Sequence, residues 1–135
     1  MKTPVVSLVL AALIVGSQGA LAKPALRDVK PIDDGLFAIG LADQIRKNCP
    51  QISARVLPAL SALQNLNQTA KEMGYTQAEI DAHVDSEAEK DRLRARAARY
   101  MASKDLNVDQ AGYCALGKEE IARNSTVGVL LRAKD

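Results

Sequence analysis

The chain is 135 residues long, with 47% apolar, 25% charged and 3% aromatic residues, and a formal net charge of +2. That length fits one small domain, and the ordinary charged fraction excludes a disordered polyelectrolyte or a collagen-like chain. So small a positive charge leaves no footprint for a nucleic-acid partner.

The first segment reads as an address. Met1-Lys2 gives a positive start, Val5 to Val15 is apolar apart from Ser7, and Ala20-Leu21-Ala22 is a small-x-small ending before Lys23. This order predicts a secretory signal peptide over residues 1–22, cleaved after Ala22. The apolar run is shorter than the roughly 20 residues a membrane span needs. No Cys stands at the cleavage point, which argues against a lipoprotein. The expectation is a periplasmic protein with no integral membrane segment in the mature chain. Cleavage removes Lys2, the only charged residue of the leader, so the formal charge falls from +2 to +1.

Residues 23–31 carry two prolines and no hydrophobic period, and read as an extended N-terminal arm to a single helical domain over 32–135. Asp33 and Asp34 then lead a pattern in which Phe37, Leu41 and Ile45 recur every four residues, with Arg46 and Lys47 trailing. Acids first and bases last is the order a helix dipole favours. Gly35 and Gly40 weaken this helix or mark close packing. Cys49-Pro50 is a turn and a restart. Ile52, Val56, Leu60, Leu63, Leu66, Ala70 and Met73 follow at helical steps, the strongest periodicity in the chain. Pro58 predicts a kink between Ala54 and Pro58, and Gly74 a stop.

Thr76 and Glu79 form a capping box, and Ser86 with Glu89 repeats it. Ile80 and Val84 do not line up with Leu93, Ala97 and Tyr100 on one continuous helix. Two helices are therefore expected, over 77–84 and 87–103. Leu106-Asn107-Val108-Asp109 reads as a connector with a capping residue, a last helix is expected over 108–123, and residues 127–131 are either a packed tail or a short helix. No strand alternation or hairpin signal is present. The apolar stripes predict an all-α fold, a compact bundle of four to five helices.

Cys49 and Cys114 allow one pairing in an oxidising compartment. Closing a loop of about 65 residues stabilises a fold by about 4 kcal/mol in the chain-entropy model. No C-x-x-C or C-x-x-C-H occurs, so neither a thioredoxin-like centre nor covalent haem is encoded. Two Cys and one His do not complete a four-ligand zinc site, and no cofactor or metal is expected.

Arg92, Arg94, Arg96 and Arg99 are the densest charge cluster, and Arg92, Arg96 and Arg99 share a helical face. They are the candidates for contacting an acidic partner or an anion. Against this, Asp85, Glu87, Glu89 and Asp91 precede them, so dipole order and a Glu89–Arg92 pair account for much of the cluster. His83 is the only histidine, and its position on a short amphipathic helix predicts a surface or half-buried role. Tyr75 and Tyr113 read as packing residues. Asp33/Asp34 and Glu119/Glu120 are sequential neighbours, which diverge on a helix rather than converging on one substrate. Two sequons, at Asn67 and Asn124, carry no weight without evidence of a glycosylating source.

The chain resembles a family of small exported alphaproteobacterial proteins of unknown function, DUF5333. The resemblance rests on Asn48-Cys49-Pro50, on Gly74-Tyr75-Thr76 with Glu79-Ile80, on the Arg-rich helix, and on Tyr113-Cys114 with Gly117 and Glu120-Ile121. It implies a periplasmic, disulfide-bonded helical domain and supplies no catalytic residues. The functional expectation is a non-enzymatic accessory or binding protein of the cell envelope, with an envelope protein as its partner. The alternatives are a small enzyme using His83 and Tyr75, or a binder of an apolar ligand or haem. Neither the oligomeric state nor the partner is written in the sequence.

Overall fold

The computed structural model describes residues 21–135, so residues 1–20 of the expected leader lie outside the described residues. Five helices form the domain: α1 Lys30–Asn48, α2 Val56–Glu72, α3 Gln77–Asp85, α4 Glu87–Ala102 and α5 Gln110–Ala122. The expected helical bundle with its Cys49–Cys114 disulfide is present, with 5.1 Å between the Cα atoms. The helix α1 is the centre of the bundle and packs against α2, α4 and α5. Its Leu41 and Ile45 meet Met101 of α4 and Leu116 of α5 in the main core. Each such fully buried side chain contributes roughly 1.5–3 kcal/mol relative to exposure.

Two segments depart from the expected pattern. The N-terminal arm is not extended throughout. Leu26–Asp28 forms a 3-10 turn, α1 starts at Lys30, and Leu26 and Val29 are buried with Ile32, Ala70, Tyr75 and Ile80 in a second apolar cluster. Pro31 sits in the first turn of α1, where its missing N–H costs nothing.

The segment after Cys49 is not one kinked helix. Ile52–Ala54 is a short strand, β1, and α2 begins at Val56. Pro58 therefore lies in the first turn of α2, where backbone N–H groups have no intrahelical acceptor, and it kinks nothing. The partner of β1 is β2, Leu131–Ala133, antiparallel, with Ile52 opposite Ala133 and Ala54 opposite Leu131. The tail before it is a 3-10 turn, Gly128–Leu130. Three-residue strands are too short to leave an alternation in the sequence.

The helix boundaries at α3 and α4 follow the capping signals. Thr76 Oγ1 accepts from the Glu79 N–H, and the Glu79 carboxylate accepts in return from the Thr76 N–H. Ser86 caps α4 through the Glu89 N–H, but the Glu89 carboxylate does not reach back. Asp109 caps α5 through the Gly112 N–H. Gly74, at φ +91°, makes the turn that stops α2, a conformation a side chain strains to adopt. Gly35 is a close-packing position, since a Cβ there would stand 2.5 Å from Leu66 of α2, whereas Gly40 faces open space.

The apolar row of α2 is not what the periodicity implied. Val56 and Leu57 are 71% and 77% exposed, Leu60 and Leu63 are exposed as well, and only Ala70 of this helix is fully buried.

Candidate functional site

The arginine face of α4 turns inward onto α1. Arg96 Nη1 donates to Asp33 Oδ2 at 2.9 Å and Arg96 Nη2 to Asp34 Oδ1 at 2.7 Å. The two neighbouring aspartates thus converge after all, on one guanidinium fork rather than on a substrate. The Arg96 guanidinium also lies 4.1 Å from the centre of the Phe37 ring. Arg92 donates to Asp33 and, through Nε at 2.9 Å, to Glu89 Oε2. Arg27 of the N-terminal segment pairs with the other Glu89 oxygen. Hydrogen bonds from Lys30 and then Arg96 hold the Asp34 carboxyl below its usual range. Arg99 is exposed and joins no ion pair among the described residues. Of the three candidate contact arginines, the structure therefore brings Arg92 and Arg96 together as an internal clamp and leaves Arg99 outside it.

Beside this clamp lies a cavity of about 180 Å³. Leu63 and Leu66 of α2 form one wall, and Ile80 and Val84 of α3 form the other. Leu26 of the 3-10 turn and Ile32 and Leu36 of α1 close the floor. Ile80, His83 and Val84 stand at i, i+3 and i+4, so α3 presents all three on one face. Asn67, four residues after Leu63, brings an amide to the same cavity.

Two polar atoms of that lining have no partner. Asn67 Oδ1 and His83 Nε2 are both buried and make no hydrogen bond. Leaving a buried donor or acceptor unpaired costs about 1–3 kcal/mol each. Burial lowers the His83 pKa, and the charges of Arg92 and Arg27 lower it further against the opposing pull of Asp33. The arginine clamp thereby favours a neutral imidazole. Asp81 and Asp85 stand in the lining as well, with Asp81 accepting from Gln77 Nε2 at 2.7 Å. Neither hydrogen-bonds to His83. Tyr75 stands with His83 in the lining of a neighbouring groove along Lys23 to Leu26, and its hydroxyl donates to the Pro24 carbonyl. Sequence reasoning weighed His83 and missed Asn67, which stood out only as a sequon. No local signal set it apart from Gln64, Asn65 and Gln68 on the same helix.

A second polar cluster, around Glu120, is structural. Glu120 is 1% exposed and accepts from Tyr100 Oη and Arg123 Nη2, both at 2.6 Å, and from Ser125 Oγ. Burial pushes its pKa up, and the bonds from Ser125, Tyr100 and Arg123 outweigh that, leaving it lowered. Among the described residues, no group of three or more His, Cys, Asp or Glu is placed to hold a metal ion. No helix among the described residues is long and apolar enough to cross a membrane.

A family model described as "Family of unknown function (DUF5333)" matches residues 24–132. No curated protein and no solved structure matches the chain.

Proposed function

The chain belongs to DUF5333, a family whose description names no activity, and from that starting point we propose that it is an exported, non-enzymatic binding protein of the cell envelope whose recognition site is the α2–α3 cavity. One observation carries the reading. The wall of a largely apolar cavity holds two buried polar atoms, Asn67 Oδ1 and His83 Nε2, that nothing in the chain satisfies. Concave apolar sites with a few convergent polar groups are the usual form of a small-molecule site. Catalysis is less well supported, because His83 has no hydrogen-bonded carboxylate and the Tyr75 hydroxyl is held by Pro24. A haem reading fits poorly too. A dry cavity of about 150 Å³ in another protein takes benzene, and a porphyrin carries four rings of that order. The leader pattern of residues 1–22 supports export, and so does the Cys49–Cys114 pair, since disulfides persist in oxidising compartments.

Native mass spectrometry of the protein from its own envelope fraction tests this. The expected mass is that of a chain starting at Lys23, two hydrogens short of the dithiol, with a small molecule bound. An unprocessed chain in the cytosol, or free thiols, would overturn the reading.

The exposed row of Val56, Leu57, Leu60 and Leu63 favours a second reading, an accessory protein that docks on an envelope protein. A photo-crosslinking residue at position 57 should then trap one defined protein in intact cells, and a crosslinker on exposed Lys118 should not.

A further inference from the structure

We infer that the α2–α3 cavity takes a small neutral molecule with an apolar body and a single hydroxyl group, of the size of phenol or cyclohexanol. This rests on the reading of the cavity as the recognition site and names the class of its ligand. Size comes first. The cavity of about 180 Å³ is comparable to one that holds benzene elsewhere, so a six-membered ring fits.

Charge comes second. The carboxylates of Asp81 and Asp85 stand in the lining, and no Lys or Arg does, which disfavours an anion. Burial, and then the charges of Arg92 and Arg27, disfavour a positive charge on His83, so a cationic ligand gains nothing beside it. An uncompensated charge in apolar surroundings is expensive in any case. A neutral ligand is left.

Hydrogen bonding comes third. Asn67 Oδ1 only accepts, and a neutral imidazole nitrogen that carries the ring proton donates. A hydroxyl is the smallest group that does both jobs. It can donate to Asn67 Oδ1 and, where the His83 ring proton sits on Nε2, accept from that N–H. Neither atom is exposed where it stands, and neither has a partner within the chain. The terminal torsions of Asn and His side chains are broad, and a small turn of each aims it into the cavity. Few contacts join α2 to α3, which leaves this side of the bundle the easiest to part for entry.

The test uses the disulfide-bonded exported protein and four probes: phenol, cyclohexanol, benzene and benzylamine. Binding is followed by NMR titration of the imidazole signals, which belong to His83 without further assignment because the chain has one histidine. Phenol and cyclohexanol should bind saturably and shift the His83 ring signals. Phenol should bind at least tenfold more tightly than benzene, and benzylamine more weakly than phenol. In Asn67→Leu and in His83→Phe, phenol and benzene should bind within about twofold of each other. Asn67→Ala serves the same purpose should the leucine variant not fold. If benzene or benzylamine matches phenol, or if the variants keep the phenol preference, the hydroxyl class is wrong while the cavity remains a binding site. If none of the four probes binds, the cavity reading itself falls.

Discussion

Tyr100 Oη donates to Glu120 Oε1 at 2.6 Å, and this bond ties α4 to α5 through a carboxylate that is almost wholly buried. Arg123 and Ser125 complete the set, and the Ser125 hydroxyl also accepts from the Gly128 N–H as the chain turns toward β2. One acidic side chain therefore organises the approach of α4, α5 and the C-terminal tail. Glu120→Ala strands the Tyr100 and Ser125 hydroxyls and should cost about 2 kcal/mol. Glu120→Gln keeps the shape, loses the charge, and should cost about half as much. Urea unfolding midpoints of the two variants check this, and an alanine variant as stable as the parent would contradict it.

The clamp between α1 and α4 should respond to salt. Asp33 receives both Arg92 and Arg96, whose side chains are about a third exposed, and a pair in that setting is partly screened. Asp33→Ala should lower stability by about 1 kcal/mol in low salt and by less in 1 M sodium chloride. Chemical unfolding in the two buffers measures the difference. An equal loss in both would mean that packing rather than charge holds the contact.

The sequence carried most of this arrangement where local chemistry is strong. Thr76 and Glu79 announced the start of α3 and Ser86 the start of α4, while the connector 106–109 held a cap without marking it as Asp109, and α5 starts two residues later than expected. The Glu89–Arg92 pair was legible from its spacing, whereas the Glu89 reach to the Ser86 amide failed because Arg92 and the distant Arg27 hold that carboxylate instead. The periodicity from Ile52 to Met73 misled because β1 and α2 are joined with apolar residues on both sides of the junction, and period alone cannot mark where a strand hands over to a helix. The exposed row of α2 shows the other limit, that amphipathicity states which residues share a face and not whether another element covers it. At the site, His83 was legible as the lone imidazole. Asn67 was not, because its pairing deficit depends on α3 folding over α2.

Acid should weaken the fold in two separate steps. The His83 pKa in the folded chain lies below the ordinary 6.5, so the unfolded chain takes up a proton first as the pH drops. The contribution of neutral His83 is complete above about 6.5 and is lost as the pH falls from there toward the folded value. Glu79 behaves as a depressed carboxyl. The Thr76 N–H and then Lys23 hold it at about 2 against an ordinary 4.5, so its contribution is complete above 4.5 and is lost between 4.5 and 2. Urea midpoints from pH 7.5 to 3 should show both declines. His83→Gln should flatten the first and leave the second. Glu79→Gln should leave the first and reduce the second, to which Asp34 and Glu120 also contribute, their carboxyls being held below their ordinary range too. A single decline untouched by either substitution would show that other groups set the acid response.

The disulfide should matter more than any other single contact. Cys49 and Cys114 are 65 positions apart in sequence, and closing a loop of that size restricts the unfolded chain by about 4 kcal/mol. Reduction, or the double substitution Cys49→Ser with Cys114→Ser, should lower the urea midpoint accordingly. Loss of less than about 1 kcal/mol would show that the reduced, unfolded chain is already compact.

The pairing of β1 with β2 sets a timetable. Ile52 packs beside Ile45 and Gly117, and its backbone pairs with residues 131–133, which leave the ribosome long after it. Until they emerge, the nascent polypeptide holds an unfinished interior and stays pliable. For the export proposed above, a chain that closes this late can be threaded through a narrow pore before it collapses.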